Sequence, residues 1–182
     1  MTCIVGVVDK DMIVMGGDSA GVSDHYSLNT RADRKVFVKE GYLFGFTTSF
    51  RMGQLLRYAM VIPARKPNED LDQFMCGPFI DSVRSCLTAG GWSERKDTTR
   101  EVGGTFLVGH AGRLFCVEGD YQVAESTCGF NAIGCGFALA LGAMAATREA
   151  IYSPQERVEL ALKAAEEFSA GVRGPFHTET LP

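Results

Sequence analysis

At roughly 100–200 residues per domain, the 182 residues of the chain are expected to form one domain spanning 1–182. Apolar residues make up 46% and charged residues 22%, a globular balance that excludes wholesale disorder and collagen-like or low-complexity sequence. Eighteen Lys and Arg against 22 Asp and Glu leave a formal charge of -4, so no basic excess draws the chain to nucleic acid or an anionic membrane surface.

Residues 2–8 (TCIVGVV) and 12–19 (MIVMGGDS) are β-branched, apolar runs separated by Asp9-Lys10-Asp11, which reads as a hairpin. After a loop over 21–34, Lys35-Val36-Phe37-Val38 and Tyr42-Leu43-Phe44-Gly45-Phe46 flank a Lys39-Glu40-Gly41 turn as a second hairpin. Four strands before any helix argue against a doubly wound parallel sheet. Met52, Leu55, Leu56, Ala59 and Met60 recur at helical spacing until Pro63. A second helix is expected from Pro78, with Phe79, Ile80, Val83, Cys86 and Leu87 on one face and Gly90-Gly91 as its stop.

Residues 92–102 are charged and aperiodic and read as a solvated loop, with a subunit contact through Trp92 as the second reading. Residues 103–109, 113–118 and 121–125 read as a meander, turning at Ala111-Gly112. After Gly134 comes an Ala- and Leu-dense helix, and Ser153-Pro154-Gln155-Glu156 is a capping box opening a last helix. Its buried stripe is expected to be Val158, Ala161, Leu162, Ala165 and Phe168, with Gly171 as its stop and 176–181 as a short strand or tail. The order ββββ-αα-βββ-αα-(β) implies two antiparallel sheets covered by helices.

The N-terminal apolar stretch lacks a basic lead and is broken at Asp9, which is unlike a secretory signal, and no apolar run approaches the length of a membrane span. A cytoplasmic protein is expected. Six cysteines without a CxxC pair, with His25, His110 and His177 equally isolated, read as reduced and mostly buried thiols. They give no metal site. The glycine pairs form neither a GxGxxG nor a Walker cradle, and no cofactor is expected.

Chemistry concentrates at Thr2. Trimming of Met1 would leave one residue with both a hydroxyl and a free α-amine, whose pKa near ~7.7–8.0 suits it to take the hydroxyl's proton at neutral pH. Asp18, in Gly16-Gly17-Asp18-Ser19-Ala20, closes the second strand, and Lys35 opens the third, so neighbouring hairpins could set an Asp18–Lys35 pair beneath Thr2. A held ammonium there favours the deprotonated nucleophile. The competing readings are a capped turn and a surface ion pair.

These segments, together with Leu43-Phe44-Gly45-Phe46 and Asn131-Ala132-Ile133-Gly134-Cys135-Gly136 before an Ala-rich helix, resemble proteasome β-type subunits and the bacterial unfoldase-partnered threonine peptidase. The resemblance spans nearly the whole chain and includes the sixteen positions from Thr2 to Asp18. It implies an α+β fold, the four-layer αββα sandwich of N-terminal-nucleophile hydrolases. It further implies a threonine peptidase in which Thr2 attacks, its amine relays the proton, and Lys35, oriented by Asp18, stabilises the alkoxide. A backbone N–H near Ser49 would hold the oxyanion, with Ser19 and Cys135 in support. Also implied are a peptide or unfolded-protein substrate, a homo-oligomeric ring, and an ATP-dependent unfoldase or other cap.

The chain departs from that pattern in places. Seventeen steps separate Asp18 from Lys35 where sixteen are usual, so either the loop is one residue longer or Arg34 takes the lysine's place. Ser49 and Cys135 replace a glycine and a serine, and no aspartate follows the last helix; Glu167 is a candidate substitute. A catalytically silent structural subunit and an amidohydrolase of small amides are the alternative functions. Cysteine chemistry at Cys135 has no histidine placed to serve it, and exposing Cys3 would require removal of Thr2 as well.

Overall fold

The computed structural model describes residues 1–182 except 24, 26, 93, 98 and 99, and of 94–97 and 100–102 it describes the backbone alone. The chain opens with β1 (Cys3–Asp9), β2 (Met12–Gly17), β3 (Ala20–Val22), β4 (Leu28–Thr30), β5 (Val36–Lys39) and β6 (Tyr42–Phe46). Helices α1 (Phe50–Tyr58), α2 (Leu71–Phe74) and α3 (Ile80–Ala89) follow, α2 running into α3 through a π-helical turn at Met75–Phe79. Next come β7 (Glu94–Asp97), β8 (Arg100–Val102), β9 (Phe106–His110), β10 (Arg113–Val117), β11 (Val123–Glu125) and β12 (Phe130–Gly134). The chain ends with α4 (Phe137–Ala146), α5 (Pro154–Phe168) and β13 (His177–Leu181).

Two antiparallel sheets form the centre, one in the order β12-β1-β2-β13 and the other β11-β10-β9-β6-β5. Period-2 alternation assigns their faces. Cys3, Val5, Val7 and Val14 face Ala140, Met144, Val158 and Leu162 of α4 and α5. Ile4, Ile13 and Met15 face Val36, Leu43, Leu107 and Leu114 of the other sheet. Phe44, Phe46, Phe106 and Val108 pack on α1, the π turn and α3 through Met52, Leu56, Phe79 and Val83. Three apolar seams thus bind four layers, αββα, and each fully buried large side chain contributes roughly 1.5–3 kcal/mol. Two-residue turns with positive φ at both positions, Glu40-Gly41 and Ala111-Gly112, close the β5–β6 and β9–β10 hairpins. That geometry matches the right-handed twist of the strands.

Several local expectations change. Pro78 lies inside the π turn, not at a helix start. The loop after β2 contains the β3–β4 hairpin, and residues 92–102 carry the β7–β8 hairpin in place of a loop. Trp92 packs partly buried against the core under α1 and α3. Phe168, expected in the buried stripe, is 77% exposed, because α5 ends there and Ser169 turns to extended backbone. Of six free cysteines only Cys3 and Cys116 are buried, whereas Cys76, Cys128 and Cys135 are exposed. Among the described residues no helix is long and apolar enough to cross a membrane.

Candidate active site

Antiparallel register brings five chain segments to one end of the sandwich. Ile4 pairs with Gly17, Cys3 with Gly134, and Val36 with Gly45. The start of β1, the end of β2, the start of β5 and the ends of β6 and β12 therefore meet, carrying Thr2, Asp18, Lys35, Thr47 to Ser49, and Cys135.

Asp18 is the hub. Its Oδ1 accepts from Cys3 N at 2.9 Å and Lys35 Nζ at 2.8 Å, and its Oδ2 from Ala20 N at 2.9 Å and Arg173 N at 3.3 Å. Lys35 Nζ also donates to Ala20 O at 2.7 Å. The side chains of Asp18 and Lys35 are 0% and 1% exposed, so this is a buried ion pair rather than a surface one. Burial holds the Lys35 ammonium below the ordinary lysine pKa, against the opposing pull of Asp18. The loop is accommodated with Lys35 in contact with Asp18, while Arg34 turns outward to Glu179 at 3.1 Å. Ser19 ties the same corner to the C-terminal segment: its N donates to Arg173 O at 2.8 Å and its Oγ to Pro175 O at 2.6 Å.

Thr2, 5% exposed, sits at the mouth of this hub. Its hydroxyl donates to Met1 O, and its N donates to Cys135 Sγ at 3.3 Å. Cys135 Sγ donates in return to Thr2 O at 3.3 Å and receives Ser169 Oγ at 3.6 Å. Gly134, at φ +92°, lets the two segments approach: a Cβ there would collide with the Thr2 carbonyl. A small cavity of about 70 Å³ is lined by Met1, Thr2, Val22, Phe46 and Thr47 to Phe50.

Ser49 lines this cavity, yet its N–H donates to Thr47 O at 2.7 Å across Thr48, whose φ of +66° is unusual for a β-branched residue. Its Oγ caps α1 by accepting from Arg51 N at 3.0 Å. The buried thiol of Cys3 is pushed up to about 12, by burial first and by the Asp18 charge second, which leaves it inert as a nucleophile. Glu167 is exposed on α5; its neighbour Glu166 instead accepts from Gly174 N at 2.9 Å and braces the loop that reaches Asp18. Sequence reasoning missed this loop, for which the Gly174-Pro175 turn dipeptide was the available signal. Among the described residues no three His, Cys, Asp or Glu side chains are grouped to hold a metal.

No family model matches the chain, and no curated protein matches it. Solved structures do. BPH of Thiobacillus denitrificans in complex with epoxomicin superposes with TM-score 0.75 at 19% identity over 100% of both chains. A second BPH structure from that organism gives 0.74 at 20% over 100% of this chain and 99% of that one. Eukaryotic HslV from Trypanosoma brucei gives 0.69 at 17%, covering 98% of each. The layers, the full-length coverage and these neighbours agree: the chain has the αββα fold of the proteasome-like N-terminal-nucleophile hydrolases.

Proposed function

We propose that residues 1–182 act as a single threonine peptidase domain with Thr2, freed of Met1, as nucleophile. The observation that carries this reading is the Asp18 carboxylate, one oxygen of which holds both Cys3 N–H, next to Thr2, and the buried Lys35 ammonium. Thr2 Oγ attacks the peptide carbonyl while its own α-amine accepts the hydroxyl proton. Lys35, oriented by Asp18, stabilises the developing alkoxide. The amine then delivers the proton to the departing amine as the C–N bond breaks, leaving an ester on Thr2 that water hydrolyses. Cys135 and Ser19 hold Thr2 and the Asp18 corner in place.

For Ser49 N–H to serve the oxyanion, the Thr47–Ser49 turn opens and releases its bond to Thr47 O. Removing one such donor typically costs ~2.7–4 kcal/mol of transition-state stabilisation. This engaged donor is also the observation favouring the second reading, a structural subunit without activity.

The apolar outer face of α4 supports assembly into a homo-oligomeric ring: Phe137 and Leu139 are 49% and 36% exposed on a helix that is apolar all round. Such a ring would act in the cytoplasm on peptides or unfolded protein delivered by an ATP-dependent unfoldase or other cap. The test is hydrolysis of short fluorogenic peptides and small amides by the chain beginning at Thr2, compared with Thr2→Ala and Thr2→Ser. Peptide turnover that Thr2→Ala abolishes and Thr2→Ser keeps supports the reading. Equal rates in Thr2→Ala refute it, and turnover of small amides alone replaces the substrate class.

A further inference from the structure

The segment after α5 reaches Asp18 through residues that are gripped from two sides. Arg173 N–H donates to Asp18 Oδ2 at 3.3 Å. The carbonyl of Arg173 accepts from Ser19 N at 2.8 Å, and the N–H of the same peptide group, that of Gly174, donates to Glu166 Oε1 at 2.9 Å. Glu166 lies in the last turn of α5, where the helix dipole disfavours a carboxylate and no basic residue of the turn offsets it. Arg173 Nη1 is 3.9 Å from Oε1, with both side chains partly open to water, so that ion pair contributes little. The bond to Gly174 N–H is therefore the contact that fixes this carboxylate against the loop. We propose that Glu166 is a positioning residue for the Thr2 site, acting through the Arg173–Gly174 peptide on Asp18 and so on Lys35. The proposal rests on the peptidase reading of Thr2 and adds a residue away from the site that sets its rate.

Each link in the chain of contacts is a short bond. Asp18 Oδ2 is held by Ala20 N and Arg173 N, and Oδ1 by Cys3 N and Lys35 Nζ. The two oxygens turn together, so loosening the Arg173 donor lets the carboxylate rotate and shifts the oxygen that Cys3 N–H and the ammonium share. A carboxylate on Gly174 N–H also polarises the peptide group and strengthens Arg173 O as the acceptor for Ser19 N. Val172, fully buried in the core between β1 and α5, anchors the loop on one side of Arg173, and Glu166 anchors it on the other. Such a site is sensitive to small shifts, because a misplacement of about 1 Å costs on the order of 100-fold in rate. Glu166 is not among the residues lining the Thr2 cavity, so its effect falls on rate and not on substrate binding.

The experiment reads turnover and the brace itself in parallel, in the chain beginning at Thr2. Glu166→Ala, Glu166→Gln and Glu167→Ala are compared with the parent for kcat and KM on a short fluorogenic peptide, and for amide hydrogen exchange at Ser19, Arg173 and Gly174. Glu166→Ala is expected to lower kcat about tenfold, the range of a lost hydrogen bond to a charged group, with KM within about twofold. The three amides exchange faster in that variant. Glu166→Gln keeps an oxygen that accepts the Gly174 N–H and is expected to hold kcat within about threefold of the parent. Glu167→Ala removes a charge from the same exposed helix end and is expected to match the parent. Should Glu166→Ala fail to fold, Glu166→Asp, one methylene shorter, carries the same comparison. Parental kcat and exchange in Glu166→Ala, a loss confined to KM, an equal loss in Glu167→Ala, or no rescue by Glu166→Gln overturns the proposal. A parent without turnover, whose amides nonetheless respond to Glu166→Ala as expected, overturns the peptidase reading and leaves the link from Glu166 to Asp18 standing.

Discussion

The Asp18–Lys35 pair makes an asymmetric stability prediction. Lys35→Met removes the cation but leaves the Asp18 carboxylate its three backbone N–H donors, from Cys3, Ala20 and Arg173. Asp18→Ala leaves the buried ammonium only Ala20 O and the Phe50 ring, 5.5 Å away, and bares those three donors. Breaking a buried pair from one side costs about 3–5 kcal/mol, so Lys35→Met belongs at the lower end and Asp18→Ala at or above the upper. At about 2–4 °C per kcal/mol for a chain of this size, Tm falls by roughly 6–12 °C and 10–20 °C respectively. The double variant, Asp18→Ala with Lys35→Met, removes both charges and is expected to be more stable than Asp18→Ala alone. Circular-dichroism melts, checked for a two-state transition, read all three. Shifts below about 2 °C in both single variants, or a double variant no better than Asp18→Ala, would refute the burial argument.

Alkaline pH separates two buried groups of opposite sign. Cys3 is raised from 9.0 to about 12 in the fold, so its contribution to stability is whole below pH 9 and is lost as pH climbs through 12. Lys35 is lowered from 10.5, so the unfolded chain holds the lysine proton longer and this contribution grows as pH rises towards 10.5. Urea melts between pH 8 and 11 check both: Cys3→Ala makes the alkaline decline shallower, and Lys35→Met makes it steeper. Gly134→Ala forces a Cβ at φ +92° into the Thr2 carbonyl and is expected to cost about 2 kcal/mol or more, read as lost chemical-denaturation midpoint. Cys135→Ser, with a stronger hydrogen-bonding group, keeps or raises peptide turnover, whereas Cys135→Ala lowers it in the same fluorogenic assay. Leu139→Asp on the outer face of α4 is expected to reduce the assembly mass seen by light scattering while leaving the melting curve within a few degrees of the parent.

What the sequence made legible follows from where its patterns are strong. Dense β-branched alternation in β1 and β2, and the Glu40-Gly41 and Ala111-Gly112 turns, revealed hairpins because side-chain period and turn chemistry agree there. The capping box at Ser153 and Glu156 forms with both reciprocal bonds. β4, Leu28–Thr30, is three exposed residues with no apolar face to read. β7 and β8 are nearly all charged, and their pairing comes from the backbone. The π turn around Pro78 is a backbone accommodation that helical periodicity does not encode. At the site, spacing put Asp18 and Lys35 forward as partners, but it could not choose between Lys35 and Arg34, because loop length does not say which side chain turns inward. Nor could it show that Ser49 N–H is spent within its own turn, since that depends on the φ of Thr48.

The identity of the attacking atom is tested most directly by trapping the acyl-enzyme. The chain beginning at Thr2 is mixed briefly with a short peptide bearing an activated C-terminal ester, quenched in acid, and weighed intact and after proteolytic digestion. One added acyl group, mapped to the Thr2 hydroxyl and absent from Thr2→Ala, is the expected result. An unmodified chain, or an acyl group carried by Cys135 in place of Thr2, contradicts the mechanism.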